Sequence, residues 1–344
     1  MKRGAKTRIW AVVVAAGRGL RMGGPVPKQY RALDPARPDC DDDHQNANHD
    51  RQSCSDEDGS SDTPFSTPWA LLLEQALAPL LASARVHGVV LVAPAQDVAA
   101  LVDRLNSRWL RASWLLSHFQ TDAGRAPPWQ ASTCDSIALT SMQTAEAVGD
   151  ITVSGRESDV RRLWVVAGGS ERIDSVLAGL EALPAEVDPS DQVLIHDGAR
   201  PCLDEDDLAA LVDWAAPRNL HDEAAANVGV ILAAESVDSL KEVDETGRIV
   251  AAPDRSHIWR ALTPQKFPLQ ALRARMRIAV QADVEQRARF TDEASVWCAY
   301  GGETYVLAGQ VDNVKVTRPD DERRALSWLR SRHPERTASR GIGV

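Results

Sequence analysis

Apolar runs alternate with amphipathic segments along most of this chain, and the two periods predict strands and helices in turn. Residues 9–16 (IWAVVVAA) form an unbroken apolar run rich in valine, which suits a strand covered on both faces, as in a parallel sheet. The segment 69–83 (WALLLEQALAPLLAS) has helical apolar spacing with Pro79 as an expected kink. A strand over 86–93 follows, then a helix over 97–110 with Asp97 as its cap. The unit repeats: LWVVA at 163–167, a turn at Gly168 and Gly169, and a helix over 171–183 with Ile173, Val176, Leu177 and Leu180 on one face. It repeats again as a strand at 193–195, the polar turn HDGARP at 196–201, and a helix over 205–216. From Val228 the pattern changes. VGVILAAESV predicts a strand, and SLKEV and RIVAAP flank Asp244-Glu245-Thr246-Gly247, a hairpin signal. Helices are expected over 267–282 and 292–300 and a strand over 304–307. The segment NVKVT follows at 313–317, with a closing helix from Asp321.

Strands alternating with helices imply an α/β fold, a doubly wound, mostly parallel (Rossmann-like) sheet with its ligand crevice beyond the carboxyl ends of the strands. Two stretches break the rhythm, 34–67 and 107–161. The first is acidic and of low complexity and is expected to be disordered. The second is irregular but holds Trp114, Leu115, Leu116, Phe119 and Trp129, and is expected to be partly ordered. Without them the 344 residues make one domain, 1–344, with a protruding β-arm at 237–256.

Charge sharpens this. The net charge of −10 is concentrated: residues 34–67 carry ten Asp or Glu against Arg37 and Arg51, so the rest of the chain is near −2. A nearly neutral body excludes a broad nucleic-acid surface, while Arg and Lys at glycine turns favour a small anionic ligand. No apolar run is long enough to span a membrane, and the basic start leads into a short apolar run with no cleavage site, so a cytoplasmic protein is expected. Five cysteines without a C-x-x-C pair fit reduced thiols. Cys40, His44, His49 and Cys54 are possible zinc ligands, but their spacing matches no common finger and a solvated loop is the preferred reading.

The chemistry begins at 11–30, AVVVAAGRGLRMGGPVPKQY, where the first strand runs into a glycine-rich turn carrying Arg18, Arg21 and Lys28. Gly17 and Gly19 let peptide N–H groups approach phosphate oxygens, and the cations add full charges, so the segment reads as a triphosphate cradle. A dinucleotide fingerprint would need a small residue where Met22 stands.

Five motifs in one order resemble the 2-C-methyl-D-erythritol 4-phosphate cytidylyltransferase family: AAGRGLRMGGPVPKQY at 15–30, GGSERIDSVLAGL at 168–180, HDGARPCL at 196–203, DRSHIWRALTPQ at 254–265, and TDEAS with DNVKVTRPDD at 291–295 and 312–321. The resemblance implies transfer of a cytidylyl group from CTP to a polyol phosphate. Arg21, Lys28, Arg255 and Lys315 are then the catalytic cations. Ala15, Ala16, Gly17 and Gly19 form the nucleotide floor, with Gly168, Gly169, Ser170, Ser175 and Gly198 around cytosine and ribose, and Arg172 is a further substrate-binding residue. Asp197, Arg200, Ser239, Lys241, Arg255, Thr291 and Lys315 match the polyol-phosphate site. Mg²⁺ is expected as cofactor, held mainly by the CTP phosphates, with Asp197 the candidate protein ligand. A homodimer joined through the arm is also implied. His196 reads as structural, because an ionised phosphate needs no general base. Ser175 also has the plain reading of a core-facing helix residue. The family's arm threonine is Ser239 here, and its D-A-A-R is Asp197-Gly198-Ala199-Arg200; both changes keep the required groups. The rival readings are a ribitol-phosphate cytidylyltransferase and a nucleotide-binding protein without catalysis.

Overall fold

A computed structural model describes residues 7–17, 27–31, 71–109, 141–142, 145–152, 160–184, 187–188, 190–217 and 227–332. The acidic stretch 34–67 with its Cys40, His44, His49 and Cys54, most of 107–161, and Gly19 and Arg21 lie outside the described residues.

The centre is β1 (Ile9–Val14), paired in parallel with β2 (Val86–Ala93) on one side and β6 (Gln192–Asp197) on the other. Covered on both faces, β1 has Ala11, Val12 and Val13 wholly buried, which is why its apolar run shows no alternation. The nine-stranded sheet also holds β3 (Ser141–Met142), β4 (Ala145–Thr152), β5 (Val160–Ala167), β7 (Val228–Glu235), β10 (Trp259–Pro268) and β11 (Glu303–Ala308), in the order β11-β7-β10-β6-β1-β2-β5-β4-β3. Strand β10 runs antiparallel between β6 and β7, and β4 runs antiparallel to β5; β2–β5 and β7–β11 pair in parallel.

Helices cover both faces, and the period of two within β1 sorts them. Ile9, Ala11 and Val13 pack in one cluster with Leu73, Leu77 and Leu80 of α1 (Leu72–Ala82), Leu101 and Leu105 of α2 (Val98–Trp109), and Leu208 and Leu211 of α4 (Glu205–Asp213). Trp10 and Val12 face the other cluster, with Ile173, Val176 and Leu180 of α3 (Arg172–Glu181), Leu272 and Met276 of α5 (Leu269–Ala279), and Val296 and Trp297 of α7 (Glu293–Ala299). The closing α8 (Pro319–Arg332) seats Ala325 on a third cluster with Val314, Val316 and Cys202.

The helix expected over 267–282 is corrected: Phe267 belongs to β10, and α5 starts only at Leu269. Residues 262–269 are buried and apolar or hydrogen-bonded, so the apolar period at this boundary does not separate strand from helix. Pro264 sits where the β10–β7 register shifts between Ala261 and Gln265, as a proline inside a sheet requires. Within 107–161 the strands β3 and β4 add to the sheet edge; β4 pairs with β5 and β3 with β4 through backbone bonds that an apolar pattern does not register. The short α6 (Val284–Arg289) has only its cap as a signal, Asp283 Oδ1 accepting from Gln286 N at 2.8 Å. The NVKVT segment forms no regular element, and α8 begins at Pro319, before Asp321.

The hairpin forms a separate two-stranded sheet, β8 (Glu242–Val243) and β9 (Ile249–Ala251), all of it exposed. Asp244 Oδ1 accepts from Thr246 N and Arg248 N at 3.0 and 3.1 Å, and Gly247 takes the positive φ of 83° that closes the turn.

Candidate functional site

Strands β1, β5 and β6 all end at one cleft, and its walls are the segments that leave those ends. The first wall follows β1. Ala15 N donates to Val92 O at 2.7 Å, which sets Ala15, Ala16 and Gly17 across the strand ends. A Cβ on Gly17 would meet nothing within 4 Å among the described residues. After Gly17 the described chain resumes at Pro27 with a single 3₁₀ turn, Lys28–Tyr30. Gln29 Nε2 donates to Ala15 O at 2.9 Å and Tyr30 is buried, so Lys28, which lines the cleft, is carried on a turn fastened at both of its other residues.

The second wall follows β5. Gly168 N donates to Ala93 O at 2.8 Å, and a Cβ there would lie 2.5 Å from Ala16 Cβ, so the two glycine turns pack directly on each other. Ser175 Oγ accepts from Gly169 N at 3.2 Å and donates to Glu171 O at 3.0 Å. Its hydroxyl therefore braces the turn while the residue also lines the cleft. Ser170 Oγ donates to Asp174 Oδ2 at 3.0 Å. Arg172, at the first position of α3, sends Nη1 to Asp197 Oδ1 and Nη2 to Glu293 Oε2, the latter at 3.0 Å.

The third wall is the end of β6. Asp197 is buried beneath three cations: Arg172, Lys315 with Nζ 2.9 Å from Oδ2, and Arg200 with Nε 3.5 Å from Oδ2. Burial alone would push its carboxyl up, but the three cations hold it well below the usual carboxylate range. Lys315 owes its place to Val316 N, which donates to Ala199 O at 2.8 Å. Arg200 Nη1 donates to Asn313 O at 2.6 Å, tying the same segment to β6. Gly198 N donates to Val14 O at 3.0 Å, and a Cβ on Gly198 would stand 2.9 Å from Ala15 Cβ and 3.0 Å from Leu73 Cδ1.

His196 lies behind this wall, wholly buried. Thr263 Oγ1 accepts the Asp197 N–H at 3.1 Å and sits 2.9 Å from His196 Nδ1. The threonine hydrogen is thus directed at Nδ1, which leaves the ring proton on Nε2 to donate to Arg200 O at 3.2 Å. Burial pushes the imidazole down to about 4, so it is neutral with both nitrogens engaged. Thr263 lay unmarked inside DRSHIWRALTPQ; only the antiparallel entry of β10 brings it against β6. Gln29 and Glu293 were likewise unmarked, each a polar residue inside a quoted motif; Gln29 binds back to Ala15 at the start of its own motif, and Glu293 to Arg172, 121 positions away.

The remaining site residues stand elsewhere. Ser239, Lys241 and Arg255 lie exposed on the arm and do not line this cleft; the Arg255 guanidinium donates to Val237 O. Thr291 is exposed just before α7. Among the described residues no three His, Cys, Asp or Glu gather as a cation site, and Asp197 spends both oxygens on cations. The described protein groups do not form a magnesium cage. Among the described residues at and behind the cleft wall, Lys28, Arg172, Arg200 and Lys315 outweigh Asp197 and Glu293, while Glu171 at the rim is paired with Arg287 at 2.9 Å. The cleft suits an anion of more than one charge, and the serine hydroxyls and carboxylates of its described lining, Ser170, Ser175, Glu171 and Asp197, are each engaged with a protein partner.

A mostly parallel sheet with a glycine-lined, cationic cleft beyond its carboxyl ends defines a nucleotide-binding α/β protein. The family model described as "IspD: 2-C-methyl-D-erythritol 4-phosphate cytidylyltransferase" matches residues 130–331. A protein of that name from Acidithiobacillus ferrooxidans is 31% identical over 329 residues, 95% of this chain and 99% of its own length. Another from Ectopseudomonas mendocina is 44% identical over 176 residues, 50% of this chain and 67% of its own. The solved structure of the Francisella tularensis protein of that name superposes with a TM-score of 0.54 at 18% identity, covering 94% of this chain and 100% of the other. This chain belongs to the 2-C-methyl-D-erythritol 4-phosphate cytidylyltransferase family. Among the described residues no helix is long and apolar enough to cross a membrane.

Proposed function

We propose that the cleft transfers the cytidylyl group of CTP to 2-C-methyl-D-erythritol 4-phosphate, giving 4-diphosphocytidyl-2-C-methyl-D-erythritol and pyrophosphate. The observation that carries this is the cleft in which Lys28 and Lys315 stand on separate walls while its lining carboxylates, Glu171 and Asp197, are each paired with cations. A phosphate oxygen of the alcohol forms a bond to the α-phosphorus while the bond to pyrophosphate breaks. The nucleophile is already an anion, so no proton has to be removed. The work left to the protein is to hold two anions together and to neutralise the charge that grows on the non-bridging oxygens, which Lys28, Lys315 and, by resemblance, Arg21 supply. Magnesium is proposed to enter with the triphosphate, because this ion usually takes few protein ligands and keeps phosphate oxygens and waters around it.

The dimer is proposed on the arm. Val237, Val243, Ile249 and Val250 are each at least half exposed there, and an isolated two-stranded hairpin needs a surface to cover it. Such a crossing would deliver Ser239 and Arg255 to the partner's cleft. A cytoplasmic enzyme is the setting that CTP and reduced cysteines suit. Pyrophosphate release from CTP is the test: rapid release with methylerythritol phosphate and little with ribitol phosphate supports the proposal. The reverse order would assign ribitol phosphate as substrate, and no release with either would leave a binding protein.

A further inference from the structure

Arg172 breaks a local rule. It is a cation in the first turn of α3, where the helix dipole favours an anion. What holds it is a pair of carboxylates on two other elements, Asp197 at the end of β6 and Glu293 at the start of α7.

Glu293 is rigidly mounted. Its neighbour Asp292 caps α7, with Oδ1 accepting from Ser295 N at 2.9 Å and Oδ2 accepting from Gln265 Nε2 at 2.9 Å. Gln265 Oε1 in turn accepts from Ala294 N at 3.0 Å, and Gln265 is paired in the sheet with Ile195, two residues before Asp197. The Glu293 side chain is 2% exposed and Arg172 is its ion-pair partner. Burial raises its carboxyl against the pull of Arg172, whereas Asp197 is held low by three cations.

Lys315 is the most exposed of the cations on Asp197, its side chain 39% accessible against 28% for Arg172 and 10% for Arg200. A phosphate arriving in the cleft competes with Asp197 for Lys315. If Lys315 turned to the phosphate with nothing else in place, a buried carboxylate would lose a close partner, which is costly. We infer that Glu293 is a positioning residue of the transfer site: it fixes one arm of Arg172 so that the other stays on Asp197 Oδ1, and Lys315 is released to the alcohol phosphate. Without Glu293, Arg172 collapses onto both oxygens of Asp197 and takes the acceptor from substrate hydroxyls. This rests on the transfer reading above and extends it to a residue outside the cleft lining.

The test is a cycle of Glu293→Gln, Arg172→Lys and the double variant. A lysine keeps the charge but cannot reach two carboxylates as a fork. Glu293→Gln should lower kcat/KM for methylerythritol phosphate roughly tenfold, with KM for CTP within about twofold of wild type. Circular dichroism at the assay temperature should show this variant folded, so that the selective loss is not a loss of fold. Arg172→Lys should show the same selective loss, and adding Glu293→Gln to it should cost nothing more. Calorimetric binding of methylerythritol phosphate to each variant reads the same pattern without turnover, while pyrophosphate release by the wild type separately tests the transfer reading. Wild-type behaviour of Glu293→Gln, equal losses for both substrates, or losses that multiply in the double variant would overturn the inference.

Discussion

Two glycines at the cleft show what single residues decide. Gly168 is demanded by packing, since a Cβ there falls 2.5 Å from Ala16 Cβ and 2.8 Å from Ser175 Oγ. Gly17 is not, because the space around its Cα is open among the described residues. Gly168→Ala should therefore destabilise the fold by about 1–3 kcal/mol in urea unfolding, the range for overpacking. Gly17→Val should leave stability within about 0.5 kcal/mol and raise KM for CTP instead, because it fills ligand space. An equal loss of stability in both would show that Gly17 also serves the fold. The cations obey a different measure. Lys28→Ala and Lys315→Ala should each cut turnover by about 10² to 10³, the scale of losing one preorganised donor, and near-normal rates in steady-state assays would remove them from the mechanism.

At the scale of elements, β6 and β10 are bolted together by His196 and Thr263, and the bolt is sensitive to acid. His196 sits near 4 in the folded chain through burial, against about 6.5 when unfolded. Between those values the unfolded state binds the extra proton. The stabilisation is complete above about pH 6.5 and is lost as pH falls toward 4, by about 3 kcal/mol in all. Asp197 acts in a lower window, because a carboxyl held below its ordinary value gives up its contribution only as pH falls below about 4. Urea midpoints from pH 7.5 to 4.5 should fall steeply for the wild type and less steeply for His196→Gln. Parallel slopes would mean that His196 is not the group titrating. The motif HDGAR made His196 visible, but not its partner: Thr263 is 67 positions away, and β10 was legible only as the front of a helix.

For the whole molecule the open matter is the arm. If it crosses to a twofold-related copy, Arg255 serves the partner's cleft while Lys28 and Lys315 serve their own. Inactive Arg255→Ala and Lys28→Ala chains, co-expressed, should then regain activity, since a heterodimer has one fully wild-type site. Heterodimers that form and stay inactive would show that each site is built from one chain.

How much was legible divides along the same line. The sequence alone determined the strand and helix alternation, the buried centre at β1, the hairpin, and the small and basic residues that face the cleft. Each rests on local periods, turn chemistry or a contiguous motif, and those are properties of neighbouring residues. Only the tertiary structure decided that Arg172 belongs to Asp197 and Glu293, that Ser175 braces its own turn, that Gln29 carries Lys28, and that β10 runs between β6 and β7. Those choices depend on which strand ends lie side by side. The Arg172–Glu293 pair alone joins residues 121 positions apart, and no period within the chain encodes that distance.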